Sequence, residues 1–118
     1  MKALVLHGIG DLRYDEVELP KRLDDEVTVH IQAAGICGSD VPRVFEKGTY
    51  TFPTIPGHEF AGVIIDANDK LLIGKKVAVF PLISCGICPS CSIGKYELCN
   101  HYDYYGSRRD GGFAEYLQ

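Results

Sequence analysis

Apolar and polar residues alternate most cleanly in "EVTVHIQAAGI", where Val27, Val29, Ile31 and Ala33 interleave with Thr28, His30 and Gln32. A period of two predicts a strand with one buried face, leaving His30 on the polar side in an ordinary surface role. "KALVLH" predicts an earlier strand, "GIGD" a turn, and "LRYDEVELP", which is β-prone and stopped by Pro20, the return strand of a β-hairpin. A strand followed by G-x-G invites a nucleotide-binding reading. That reading fails, because Arg13 stands where the third glycine would fall and no helical period follows.

Beyond Ile36 the period changes. Ser39 or Asp40 can cap a short helix, Pro42 suits its first turn, Val41, Val44 and Phe45 share one face, and Gly48 can end it. "EFAGVII" predicts another strand after "PGH", "DANDK" a turn, and "KKVAVFP" a further strand before a cysteine-rich loop. "GGFAEYLQ" predicts the start of one more. The expected fold class is mainly β: a partly open β-barrel with one short helix and a metal-binding loop.

Composition narrows the function classes. A chain of 118 residues fits one domain with one hydrophobic core. A net charge of −4 argues against a general nucleic-acid or anionic-membrane binder. No apolar run is long enough to span a bilayer and no signal-peptide pattern follows Met1, so the cytoplasm is the expected location. Five cysteines is an odd number, so they cannot all pair within the chain, and in a reducing compartment clustered cysteines point to metal.

Cys85, Cys88, Cys91 and Cys99 follow C-x2-C-x2-C-x7-C. The short spacings let successive thiolates converge on one ion, and the longer return supplies a fourth. Four thiolates around zinc leave no position for substrate, so such a site is structural. An iron–sulfur cluster is a rival, because bacterial ferredoxins share the first two spacings. Their last spacing is three residues and is followed by proline, whereas here it is seven and Asn100 follows. Disulfides are a second rival, weakened by the compartment. His101 is an expected bystander, since four cysteines already complete the set.

The fifth cysteine, Cys37, stands alone in "GICGSD". A solitary cysteine is commonly just a small buried hydrophobe. Against that, "GHE" at Gly57–Glu59 offers His58 and Glu59, and a cysteine, a histidine and a carboxylate with one open position define a catalytic zinc site. Asp40 can accept the second N–H of His58, and Ser39 can pass a proton. Residue chemistry alone leaves open whether Cys37 and His58 meet.

Together, "GICGSDVPRVF", "PGHEFAGVI", the four-cysteine loop and "GSRRDGGFAEY" resemble the zinc-dependent medium-chain alcohol dehydrogenases. Within them the likeness is to the polyol dehydrogenase branch, which includes sorbitol, threonine and galactitol-1-phosphate dehydrogenases. The resemblance implies a GroES-like β-barrel over residues 1–118. It also implies a catalytic zinc held by Cys37, His58 and Glu59, with Ser39 relaying a proton and Asp40 orienting His58. Cys85, Cys88, Cys91 and Cys99 would hold a structural zinc. The implied reaction is NAD-linked oxidation of a secondary alcohol, such as galactitol 1-phosphate to tagatose 6-phosphate. The implied partner is a small polyol or polyol phosphate, and the implied full-length enzyme is a homo-oligomer.

Two features qualify the match. Gly38 stands where liver-type enzymes carry a basic residue, and Lys75 replaces the aspartate of a usual glycine–aspartate pair. The chain reads as an N-terminal catalytic-domain piece, with the NAD-binding domain expected after Gln118. Arg108 and Arg109 can grip a substrate phosphate, or they form only a solvated turn before Gly111–Gly112; Tyr50 and Phe52 can line the pocket. A non-enzymatic zinc-stabilised β-module, with Cys37 merely buried, is the competing class.

Overall fold

In a computed structural model that describes residues 1–118, β1 (Lys2–Gly8) folds back on β2 (Asp11–Glu16) as the expected antiparallel hairpin. Ala3, Val5 and Leu6 turn inward from it. The next strand, β3 (Thr28–Gly35), lies where the alternating pattern put it, but its burial does not alternate. Thr28 and Val29 are buried while Ala33 is exposed, because the ladder is irregular at its start, between Thr28 and Val29, and in mid-strand, between Ile31 and Ala33. Each irregularity moves the following residues to the other face, which a strict period of two cannot anticipate. His30 stacks on the Tyr116 ring, with centroids 5.0 Å apart.

A single helical turn, α1 (Asp40–Pro42), continues into a wider turn at Arg43–Lys47 and ends at Gly48. Ser39 precedes the helix but makes no capping hydrogen bond. Of the expected apolar face only Val44 is buried; Val41 and Phe45 are exposed. The helix is too short and too wide to hold three side chains on one stripe.

The remaining strands are β4 (Glu59–Asp66), β5 (Lys76–Val79), β6 (Leu82–Ile83), β7 (Asp103–Tyr104) and β8 (Tyr116–Leu117), and the four-residue helix α2 (Pro89–Ser92) lies between β6 and β7. One sheet has the order β5–β4–β3–β8, and β6 pairs with β7. Backbone bonds join the hairpin to this sheet through the last residues. Leu4 N donates to Phe113 O at 2.8 Å, Glu115 N to Lys2 O at 3.1 Å and Ile31 N to Glu115 O at 2.9 Å. The result is the expected mainly β, partly open barrel.

Its interior is divided rather than single. One cluster gathers Ala3, Val5 and Ile55, and a second Val29, Ile64 and Ala67. A third consists of Cys88, Cys91 and Cys99. Arg22 ties the loop after β2 to the far end of β4, donating to Asp66 at 2.9 Å and to Asn68 at 2.8 Å. No helix is long and apolar enough to cross a membrane.

Gly62 lies opposite Ile31, beside the β3 irregularity, and a Cβ there would meet the His30 carbonyl oxygen at 2.1 Å. Backbone, not a flexible side chain, blocks that methyl group, so the two strands would have to separate. Gly62→Ala is therefore expected to destabilise the fold by about 2–3 kcal/mol. A lowered urea midpoint with an unchanged slope would show this, and an unshifted midpoint would contradict it.

Candidate metal centres and the adjoining cavity

The cysteine loop is an excursion closed at its base by the β6–β7 ladder, where Leu82 faces Tyr104 and Ile83 faces Asp103. Cys85 lies just after β6, Cys91 lies within α2, and Cys99 precedes β7. Pro89, whose missing N–H costs nothing in a first turn, starts α2 directly after Cys88. Cys88 Sγ is 3.5 Å from Cys91 Sγ and 4.0 Å from Cys99 Sγ, and all four sulfurs lie within 4.8 Å of one another. A zinc ion bound tetrahedrally at ordinary Zn–S distances would set its sulfurs roughly 3.8 Å apart, so the donor set fits one such ion.

None of the five cysteines is in a disulfide. Backbone N–H groups of Asn100 and Cys91, aimed at the Cys88 sulfur, hold that thiol down to about 6, which favours the thiolate a metal needs. Burial pushes the Cys91 thiol up to about 12, with its hydrogen bond with Cys88 Sγ acting in the same direction. Cys85 N–H also donates to Cys99 Sγ at 3.3 Å. His101 is exposed and stands outside the group.

The second constellation follows from strand pairing. Gly35, at the end of β3, lies opposite Glu59, the first residue of β4. Cys37, two residues past Gly35, and His58, one before Glu59, thus arrive at the same edge. Donor atoms of Cys37, His58 and Glu59 lie within 4.8 Å of one another. Gly57 makes this entry possible. It has φ +95°, and a Cβ there would lie 2.6 Å from the Phe113 ring.

Asp40 holds the arrangement from beneath and is only 2% exposed. Its Oδ2 accepts the Cys37 N–H at 2.9 Å, and its Oδ1 lies 3.3 Å from His58 Nδ1. Ser39 Oγ is 3.4 Å from Cys37 Sγ. Asp40 Oδ1, His58 Nδ1 and Arg43 Nη1 are all buried without a hydrogen-bond partner, as expected where a bound group is to tighten the geometry. The set of one thiol, one imidazole and one carboxylate fits a zinc ion with an open position.

A cavity of about 460 Å³ adjoins this site, lined by Arg43, Tyr50, Phe80, Glu97, Tyr102 and Tyr104 among others. The Tyr104 ring lies 5.9 Å from the His58 ring. Tyr50 lines this cavity and Phe52 does not. Arg108 is stacked between the rings of Tyr50, at 4.2 Å, and Tyr102, at 4.4 Å. It donates to Tyr102 Oη and holds that phenol below its ordinary range. Arg109 points elsewhere: it pairs with Glu26 at 3.7 Å and Asp103 at 3.8 Å, and lines a separate cavity of about 320 Å³ with Tyr105 and Gln118.

The known alcohol dehydrogenase GroES-like domain family matches residues 23–118. The chain belongs to that family. It is thereby a member of the zinc-type medium-chain alcohol dehydrogenases. Galactitol 1-phosphate 5-dehydrogenase of Escherichia coli (strain K12) is 46% identical over 121 residues, covering 99% of this chain and 35% of the relative. The crystal structure of galactitol-1-phosphate dehydrogenase from Escherichia coli superposes with a TM-score of 0.92 at 45% identity, over 99% of this chain and 35% of that one. Sorbitol dehydrogenase of Bombyx mori is 40% identical, over 89% of this chain and 32% of the relative. An alcohol dehydrogenase, RspB from Escherichia coli CFT073, was solved with NADH; it superposes at 0.91 with 39% identity, over 99% and 35% of the two chains. The chain thus spans about a third of the length of these relatives.

Two residues beside the candidate site, Tyr104 and Arg43, were not singled out in the sequence. Tyr104 reads as one aromatic among many, and no local signal marks it. Arg43 stands three residues after Asp40, one helical turn on, a spacing that could have flagged it.

Around the cysteines, Ile87, Ile93 and Leu98 are exposed, so the loop has almost no apolar core beyond its thiols and Tyr102. A metal ion held by the four thiols would then be its main source of order. Chelation, or Cys91→Ser, is expected to release one ion per chain and to abolish amide-exchange protection in residues 85–101. The β3–β4 ladder should keep its protection. A metal-free loop that stays protected would show that thiol packing alone suffices.

Proposed function

We propose that this chain is the N-terminal catalytic-domain part of a larger zinc-dependent, NAD-linked polyol dehydrogenase of the cytoplasm. Its reaction is oxidation of a secondary alcohol to a ketone, with galactitol 1-phosphate to tagatose 6-phosphate as the substrate pair. The observation that carries the reading is the meeting of Cys37, His58 and Glu59 at one strand edge, with Asp40 and Ser39 against them. Relatives that match 99% of this chain over about a third of their own length support the larger enzyme, and galactitol 1-phosphate dehydrogenase among them supports the substrate.

When bound, zinc supplies a Lewis acid for the alcohol oxygen and NAD a hydride acceptor. The chain's own residues prepare that step. Asp40, facing His58 Nδ1, fixes the imidazole and leaves Nε2 as its free nitrogen. The same carboxylate anchors the Cys37 backbone, so two ligands share one buried support. The Ser39 hydroxyl, exposed beside the Cys37 sulfur, can take the alcohol proton and pass it to water. Tyr104, against His58, shields one side of the imidazole from solvent.

The parent enzyme should bind two zinc ions per chain and reduce NAD with galactitol 1-phosphate faster than with sorbitol or threonine. Cys37→Ser should remove one zinc and lower turnover by about a thousandfold, the loss of several kcal/mol of Lewis-acid stabilisation. Full turnover in that variant would sink the catalytic assignment. Absence of NAD reduction with every polyol, the cysteine-loop metal being intact, would leave the zinc-stabilised β-module.

A further inference from the structure

Of Arg43, Arg108 and Arg109, Arg43 alone has a guanidinium nitrogen that is buried and makes no hydrogen bond. Its Nη1 is shielded from solvent and makes no hydrogen bond, and its side chain is 22% exposed. Its nearest anion is Asp40 Oδ1 at 3.9 Å, beyond hydrogen-bonding reach. Asp40 is already engaged on its other side, where Oδ2 accepts the Cys37 N–H. The remaining acid on the cavity wall is Glu97, which is exposed to solvent. Arg108 differs, since its guanidinium is covered on two faces by Tyr50 and Tyr102. Arg109 is satisfied by Glu26 and Asp103 outside this cavity.

A guanidinium N–H group shielded from water without a hydrogen-bond acceptor is costly, and a planar fork of N–H donors suits a phosphate better than any neutral group. Arg43 also stands at a useful place. Its Nη1 and the His58 Nδ1 both approach the same Asp40 oxygen, so the guanidinium is one carboxylate away from the candidate zinc ligands. A cavity of about 460 Å³ is large enough for a small phosphorylated polyol reaching from that edge to Arg43. We infer that Arg43 is the specificity-determining residue that binds the phosphate monoester of the substrate. This rests on the polyol dehydrogenase reading, and it assigns the anion contact to the helix after Cys37 rather than to the Arg108–Arg109 pair.

Two measurements test it. In the parent enzyme, the ratio of kcat/KM for a phosphorylated polyol to that for the free polyol should fall about 10- to 100-fold in Arg43→Gln, as expected for loss of a charge-assisted pair. Arg43→Lys, which keeps the charge but not the fork, should lose less. Arg13→Gln, on the exposed hairpin, should leave the ratio alone. An unchanged ratio in Arg43→Gln, or its collapse in Arg108→Gln instead, overturns the proposal. The second measurement needs neither folding of a variant nor turnover. Phenylglyoxal labelling of the unmodified protein, read by peptide mass, should be slowed at Arg43 by inorganic phosphate and unaffected at Arg13. Equal labelling of Arg43 with and without phosphate also overturns it. If the enzyme oxidises no polyol yet phosphate protects Arg43, the dehydrogenase reading fails while the anion site stands. If it oxidises free polyols without phosphate protection, the reverse holds.

Discussion

Gly35 faces Glu59 across the β3–β4 ladder, and the position of every candidate ligand at that edge follows from this pairing. Cys37 and His58 are not neighbours in sequence; they meet because each lies just outside the paired residues of its own strand. The register is not free to drift. Between Ile31 and Ala33 the β3 strand carries one extra residue, and Gly62 allows the backbones to approach at that point. Because side chains alternate with a period of two, a slip of one residue would turn His58 and Cys37 to opposite sides. A sheet defect that lowers regularity therefore fixes the chemistry.

Asp40 converts that alignment into a site. This carboxylate, only 2% exposed, touches two separate elements: it accepts the Cys37 backbone N–H after β3 and stands 3.3 Å from the His58 ring before β4. It could instead have served as the start of its helix, the commonest use of an aspartate in that position. Its side chain reaches back towards Cys37, so the helix start is left uncapped and the ligand loop is braced. The four-cysteine loop solves the opposite problem. Its sulfurs come from one short segment, converge without help from the sheet and leave no place for a substrate.

These two kinds of site differ in how far sequence reveals them. The cysteine spacing is local, so composition and distance along the chain were enough to mark Cys85, Cys88, Cys91 and Cys99. The hairpin and the strands β3, β4 and β5 were legible because four or more alternating residues carry a readable period. Strands β6 and β7 are two residues long and have no period to read, whereas β8 falls within "GGFAEYLQ", where a strand was expected to begin. The burial of β3 was misjudged for the reason that the site exists: its irregularities move Ala33 to the surface and Thr28 inward. Val41 and Phe45 were misjudged because a one-turn helix has no stripe. Arg43 was not singled out, and only the fold shows that its Nη1 is shielded from solvent.

The cavity shows why the cysteine loop matters to the site beside it. One wall comes from Arg43 and Tyr50, which follow the short helix after Cys37; the facing wall comes from Tyr102 and Tyr104, which follow Cys99. Tyr102 packs against the cysteine cluster, and Tyr104 reaches the His58 ring. Arg108 closes the gap between the walls, its cation sandwiched between Tyr50 and Tyr102. Such a stack orders two aromatic rings only if both are held from behind, and Tyr102 is held by the thiols. Order in the four-cysteine loop is thus order in the wall of the cavity. A closed metal centre that never meets a substrate still shapes the space in which a substrate would lie.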